Sequence, residues 1–239
     1  MNNVIDSGKN IVLDVFISGE VVDLCIPTRE FINAGMWHNW FNKAKVTRYL
    51  DQGVFPNTIE EQLHFFDLQK KQNRLTLIIS NKKKYLGVIS LSSIDFNKKK
   101  CDIALVIDNA ADFRMSPYLA LESMSRVSEH AFIKMGMNRI EAGQHVDLVN
   151  WQQRMELLGY KLEGVHKGKF VKGREIADTV SLSCSVDSYD NICEQRSNLW
   201  DSLHNMKQRI KSLPKLTSQD KFCEFQKELE KYYSAIYKL

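Results

Sequence analysis

The stretch Glu129-His-Ala-Phe-Ile-Lys-Met-Gly-Met-Asn-Arg-Ile-Glu-Ala142 closes one kind of element and opens another, and that change decides the fold. Upstream of it, from Pro117 to Met135, Ala120, Met124, Val127 and Ala131 recur at helical spacing and make one apolar face. Pro117 suits a first helical turn, where its missing N–H costs nothing. Gly136 suits a C-cap, because it tolerates the left-handed backbone that ends a helix. Asn138 to Val146 then reads as a strand, so a long helix hands over to a strand within a few residues.

Working outward, Val149 to Leu158 reads as a second helix closed by Gly159, and Tyr160 to Phe170 with Glu175 to Ser185 as a strand pair. On the other side, Leu75 to Ser80, Tyr85 to Ser93 and Cys101 to Ile107 are β-rich runs divided by polar turns, an antiparallel meander. The order is a mixed α/β (α+β) sheet, mostly antiparallel and flanked by helices, rather than a regular βαβ alternation. Further forward, Ile11 to Ile17 and Val21 to Ile26 flank the turn Ser18-Gly19-Glu20 as a hairpin. Helices are expected over Glu30 to Val46 and Thr58 to Lys71, the second opening on a capping box of Thr58 and Glu61. At the end, Tyr189 to Leu213 and Ser218 to Leu239 read as helices joined through Pro214, a C-terminal helical hairpin carrying Phe222, Phe225 and Leu229. The division is thus a catalytic-sized domain over 1–186 and a helical extension over 187–239. The extension either covers a sheet face or makes a homodimer contact.

Hydrophobic residues make up 44% of the 239 and charged residues 26%, an ordinary globular balance with little room for long disordered linkers. The opening MNNVIDSGKN has no apolar run of signal-peptide length and no later stretch approaches a membrane span. Five scattered cysteines, Cys25, Cys101, Cys184, Cys193 and Cys223, form no C-x-x-C pair and no metal-ligand spacing, so no metal is expected. A reduced, cytoplasmic setting fits them. Lys82 to Lys84 and Lys98 to Lys100 each sit beside a strand, as solvated hairpin ends or as an electrostatic lure for a polyanion. Neither run carries stacking aromatics, so nucleic acid is not an expected partner.

Together the segments just quoted carry a resemblance. Glu129 to Ala142, with its "GxNRIEA" end, resembles the helix-to-strand segment of the GNAT superfamily of N-acyltransferases. Arg154-Met-Glu-Leu-Leu-Gly-Tyr-Lys-Leu-Glu-Gly164 resembles the same family's "LGF…EG" segment, and Asp178 falls where the ribosomal-protein branch keeps an aspartate in a closing strand. The resemblance implies acetyl-CoA or another short-chain acyl-CoA as co-substrate. It implies that Val106 and Ile107 bond the pantetheine arm and that Asn150 and Arg154 lie near it. Where the family's pyrophosphate loop usually reads Q/R-x-x-G-x-G/A, this chain offers Arg114-Met-Ser-Pro-Tyr-Leu-Ala120, without glycine. Arg114 could add charge there, while Met115, Ser116, Tyr118, Leu119 and Ala120 could offer N–H groups at a helix N-terminus.

Direct transfer needs a neutral amine and a route for its proton, and no G-x-S-x-G nucleophile elbow is present. His145 has the side-chain chemistry for a base, or is a hydrogen-bonded core histidine. Asp102 and Glu141 are further candidates, with solvation or pairing to Arg139 as their alternatives, and Tyr160 could protonate the thiolate or simply pack. Trp37-His-Asn-Trp-Phe-Asn42, Val46-Thr-Arg-Tyr-Leu50 and Gly53-Val-Phe-Pro-Asn-Thr58 resemble the front of GNAT proteins linked to bacterial surface-polysaccharide synthesis. That implies a nucleotide-linked amino sugar as acceptor, met by Trp37, His38, Arg48 and Asn57. The alternatives are a peptide N-terminal acetyltransferase and a CoA-binding module without catalysis.

Overall fold

The computed structural model describes residues 11–69, 71–108 and 114–237. The opening ten residues and the side chains of Cys223, Phe225 and Leu229, all used in the sequence reading, lie outside the described residues, as do residues 109–113.

One eight-stranded sheet organises the chain, in the order β1-β2-β3-β4-β5-β6-β8-β7. The front hairpin is β1 (Val15–Ser18) and β2 (Asp23–Cys25), followed by three short helices, α1 (Arg29–Asn33), α2 (Met36–Phe41) and α3 (Ala44–Thr47), and then α4 (Ile59–Leu68). The meander is β3 (Leu75–Ser80), β4 (Tyr85–Asp95) and β5 (Lys100–Ile107). Helix α5 (Ser116–Ile133), β6 (Arg139–His145), α6 (Val149–Glu156), β7 (Lys161–Lys172) and β8 (Glu175–Ser185) complete the sheet region. Three helices end the chain: α7 (Val186–Arg196), α8 (Leu203–Ser212) and α9 (Ser218–Ile236).

Period-two alternation builds two cores. Leu77, Ile79, Ile89, Leu91 and Ile103 point to one face, where α5 and α6 pack on them. Ile78 and Val88 point to the other, against Phe31, Ile32, Trp37 and Trp40 of α1 and α2. Each such side chain, fully buried, contributes about 1.5–3 kcal/mol. Gly136 takes φ 67°, and the Met137 N–H reaches back to the Ala131 carbonyl at 3.0 Å, closing α5 as its sequence requires.

Two helix expectations need correction. The single helix expected over 30–46 is three pieces, because Gly35 adopts φ 83° between α1 and α2 and Lys43 is extended, with ψ 116°, between α2 and α3. The expected helix from Tyr189 to Leu213 is broken at Ser197, which takes φ 69°, a conformation more often left to glycine or asparagine. The C-terminal region is therefore three helices rather than a hairpin. It is also joined to the main core, in which Leu199, Trp200, Met206 and Phe222 are buried beside the residues of α5.

The sheet has one parallel junction, between β5 and β6, and it is short. Lys100, Cys101 and Asp102 pair with Arg139, Ile140 and Glu141, and the ladder stops there. Beyond it β5 continues only against β4, as far as Ile107, while β6 continues only against β8, as far as His145.

Candidate active site

The divergence of β5 from β6 opens a cleft of about 760 Å³, lined by both strands, the start of α5, α6 and the segment Lys45 to Leu50. The Asp108 N–H donates to the Leu86 carbonyl at 2.7 Å, which sets the phase of the β4–β5 ladder. In an antiparallel pair alternate residues exchange bonds, so Val106 and Ala104 spend their peptide groups on β4. Ile103, Leu105 and Ile107 direct theirs into the gap. Of the two residues expected to bond an amide-bearing arm, Ile107 directs its peptide group into the gap and Val106 does not; Leu105 directs its own there as well.

Three cations line this cleft, Lys45, Arg114 and Arg154, and no carboxylate does so among the described residues. A polyanion fits that charge. Burial pulls the Arg154 guanidinium below its ordinary pKa, with Tyr118 opposing. At the start of α5 the glycine-free loop behaves differently from the expectation. The Tyr118 and Leu119 N–H groups both donate to the Met115 carbonyl, at 2.9 and 3.0 Å, so they are spent inside the helix. Ala120 lies one residue further in, with its N–H inside the ladder. Met115 and Leu119 pack into the main core, and Tyr118 holds Lys207 over its ring at 5.5 Å. Ser116 and the Ala120 side chain do line the cleft, while Asn150 is exposed on α6 and does not. Tyr49, Gln144 and Trp151 line it too. The amide oxygen and nitrogen of Gln144 are buried without a partner, and no sequence pattern marked that residue.

A second cavity, of about 450 Å³, adjoins the first across β5. Leu50, Ala104, Leu105 and Val106 belong to both linings. Its walls are Trp37, Phe41, Phe55 and Phe65, with Asn57 among the polar groups and Arg74, Thr76 and Ser90 on the sheet side. Register explains the last two: Thr76 lies opposite Ser90, and Ser90 opposite Ala104, a row across three strands on one face. The loop from Leu50 to Asn57 supplies most of the remaining wall. Its Asn57 N–H donates to Asn42 Oδ1 at 2.7 Å, and its side-chain amide donates to Gln62 at 3.1 Å.

The four expected proton-transfer residues lie outside both linings. His145 is only 2% exposed, between the rings of Tyr49 and Phe170 at 4.6 and 4.7 Å. Its Nδ1 accepts the Asp147 N–H at 3.1 Å, which leaves the ring proton on Nε2 and no open lone pair for a base. Nε2 stands 3.7 Å from Glu175, too far for a hydrogen bond. Glu141 is held by Arg139, which keeps its carboxyl below the ordinary range, and Lys100 adds to this. Asp102 sits where β5 and β6 are still paired, at the closed end of the gap. Tyr160 is 1% exposed and bonded to Ser128 at 2.8 Å, and burial raises its pKa well above the ordinary phenol value. Of the expected acceptor contacts, Trp37 and Asn57 line the second cavity. Arg48 is committed to Glu175 and stacks on Tyr49, and His38 lies outside the lining.

A mixed sheet whose one parallel pair splays apart, with a cationic cleft in the gap and a second cavity across the strand, defines an acyl-CoA-binding transferase fold. The family model described as Acetyltransferase (GNAT) domain matches residues 28–161, and the chain belongs to that family. It is an acyl-CoA-dependent N-acyltransferase. No curated protein matches the chain. Among solved structures, it is similar to RimL, a ribosomal L7/L12 alpha-N-protein acetyltransferase in complex with coenzyme A. Identity is 16%, the TM-score 0.64, and the match covers 73% of this chain and 99% of that one. The spermidine N-acetyltransferase of Vibrio cholerae, in complex with CoA and spermine, matches with TM-score 0.61 at 14% identity, over 72% of this chain and 99% of that one. The microcin C7 self-immunity acetyltransferase MccE, in complex with acetyl-CoA and AMP, matches with TM-score 0.57 at 19% identity, over 70% and 93%. Among the described residues no group of His, Cys, Asp and Glu is arranged to hold a metal, and no helix is long and apolar enough to cross a membrane.

Proposed function

We propose that the chain transfers an acetyl or short acyl group from acyl-CoA directly to the amine of a nucleotide-linked amino-deoxysugar. The observation that carries this reading is the pair of cavities meeting on Ala104 to Val106. A thioester held along the gap side of β5 and an amine entering from the aromatic side approach the same three residues, which is the proximity that direct transfer requires. Flat aromatic walls with amide edges suit a base and a sugar better than a flexible polyamine. MccE, of similar fold, is found in complex with acetyl-CoA and AMP, which supports a nucleotide-bearing acceptor.

No side chain of the expected proton-transfer set lines either cavity, and on this reading the amine's proton leaves through solvent in the acceptor cavity. Asp51 and Glu61, both exposed, are the carboxylates that line it.

The test is thiol release from acetyl-CoA against three acceptors: a UDP- or dTDP-linked amino sugar, a peptide with a free N-terminus, and spermidine. Turnover with the sugar nucleotide alone is expected. Turnover with the peptide alone would replace this reading by the ribosomal-protein type. Silence with all three, with acetyl-CoA still bound by calorimetry, would leave a CoA-binding module without catalysis.

A further inference from the structure

Arg74 and Thr76 stand on the sheet side of the aromatic cavity, one just before β3 and one within it. The Arg74 guanidinium lies over the Phe65 ring at 5.2 Å, and its Nε is buried without a hydrogen-bond partner. Among the described residues no carboxylate comes within ion-pair distance of it. Thr76 is 4% exposed, and its Oγ1 is also buried and unpartnered. The other charged residues lining the cavity are Asp51 and Glu61. Glu61 is engaged in the α4 cap, accepting the Thr58 N–H at 2.9 Å. Asp102, outside the lining, opposes part of the loss of charge stabilisation that burial imposes on Arg74.

A buried donor left without an acceptor costs stability, and native proteins keep few of them. Here the Nε–H of a guanidinium and a hydroxyl two residues on are left unsatisfied, and both residues line the same cavity. A guanidinium fork matches the two oxygens of a phosphate or carboxylate, and a hydroxyl adds a third donor. Thr76 is two strands from Ala104 along the row through Ser90.

We infer that Arg74 and Thr76 form an oxyanion subsite, gripping a phosphate or carboxylate of the acceptor about 10 Å from the point of acyl transfer. The inference rests on this cavity being the acceptor site, and it makes specificity depend on a negative group remote from the amine.

Isothermal titration with the gap saturated by CoA tests it, using UDP, dTDP and glutarate as probes. Wild type is compared with Arg74→Gln, Arg74→Lys and the near-isosteric Thr76→Val. UDP or dTDP should bind wild type, at least tenfold more weakly Arg74→Gln and several-fold more weakly Thr76→Val, with Arg74→Lys between. Acetyl-CoA affinity should be the same in all four, which reports intact folding. Binding of glutarate alone, lost in the same variants, would keep the subsite and overturn the nucleotide reading. Nucleotide binding that neither substitution weakens would overturn the subsite and leave the nucleotide reading standing. Binding of none of the three probes would overturn the subsite.

Discussion

At the scale of single residues, a buried carboxylate that ties two distant parts of the fold together is one the sequence reading passed over. Glu122 lies on the buried face of α5, with 0% exposure, and its carboxylate accepts the N–H groups of Glu20, Val21 and Val22 at 2.6, 2.7 and 3.1 Å. Arg126 donates to the same carboxylate at 3.1 Å. The front hairpin turn is thereby fixed to the central helix, and Gly19 is required beside it, since a Cβ there would stand 2.5 Å from Glu122 Oε1. Every neighbour of this carboxylate is a donor. Glu122→Gln turns one oxygen into a further donor and removes the charge, so unfolding free energy should fall by about 3 kcal/mol. Urea denaturation at unchanged m-value measures it. A loss below about 1 kcal/mol would show that the clamp is matched by water in the variant. Nothing in the apolar spacing marks Glu122, because it stands two residues off the Ala120 and Met124 stripe and its hairpin partners are a hundred residues away in the chain.

Elements were legible where local chemistry alone builds them. Thr58 and Glu61 form both halves of their capping box, and Leu75 to Ser80 is a strand at its expected bounds. What stayed hidden depends on distant partners. Past Asp102 and Glu141 each of β5 and β6 keeps only its other neighbour, and no residue in Ile103 to Ile107 announces that parting by its pattern. The aromatic cavity depends likewise on the loop after α3, which the β7–β8 hairpin holds in place. Lys172 Nζ donates to the carbonyls of Thr47, Leu50 and Gln52 at 2.7, 3.0 and 2.6 Å, and Glu175 pairs with Arg48. One ammonium thus satisfies three carbonyls of a segment that lines both cavities. Lys172→Met keeps the stem and removes all three bonds. Trypsin cleavage at Arg48 should then speed up, and the acceptor KM should rise more than kcat falls. Equal proteolysis of variant and wild type would mean that packing, not Lys172, sets the loop.

On the scale of the whole molecule, the helices after residue 186 bear on whether the transferase can stand without them. The Leu199 N–H donates to Glu129 at 2.8 Å, and Glu20 accepts both the Trp200 Nε1–H at 2.9 Å and the Leu203 N–H at 2.6 Å. Trp200 is 1% exposed, and Leu199, Met206 and Phe222 are buried in the same core as α5. Removing those four side chains from the core they fill forfeits on the order of 6–12 kcal/mol of burial. That is comparable to the entire stability of an ordinary domain, about 5–15 kcal/mol. A chain ending at Arg196 should therefore be insoluble or melt without a cooperative transition. One ending at Leu213 keeps Leu199, Trp200 and Met206 and gives up Phe222, so it should fold with a lowered midpoint and still turn over acetyl-CoA. Circular dichroism melts and thiol release on the two truncations separate the cases. A cooperative melt with full activity in the shorter chain would make the region after Arg196 a true appendage, free to serve a partner instead of the core.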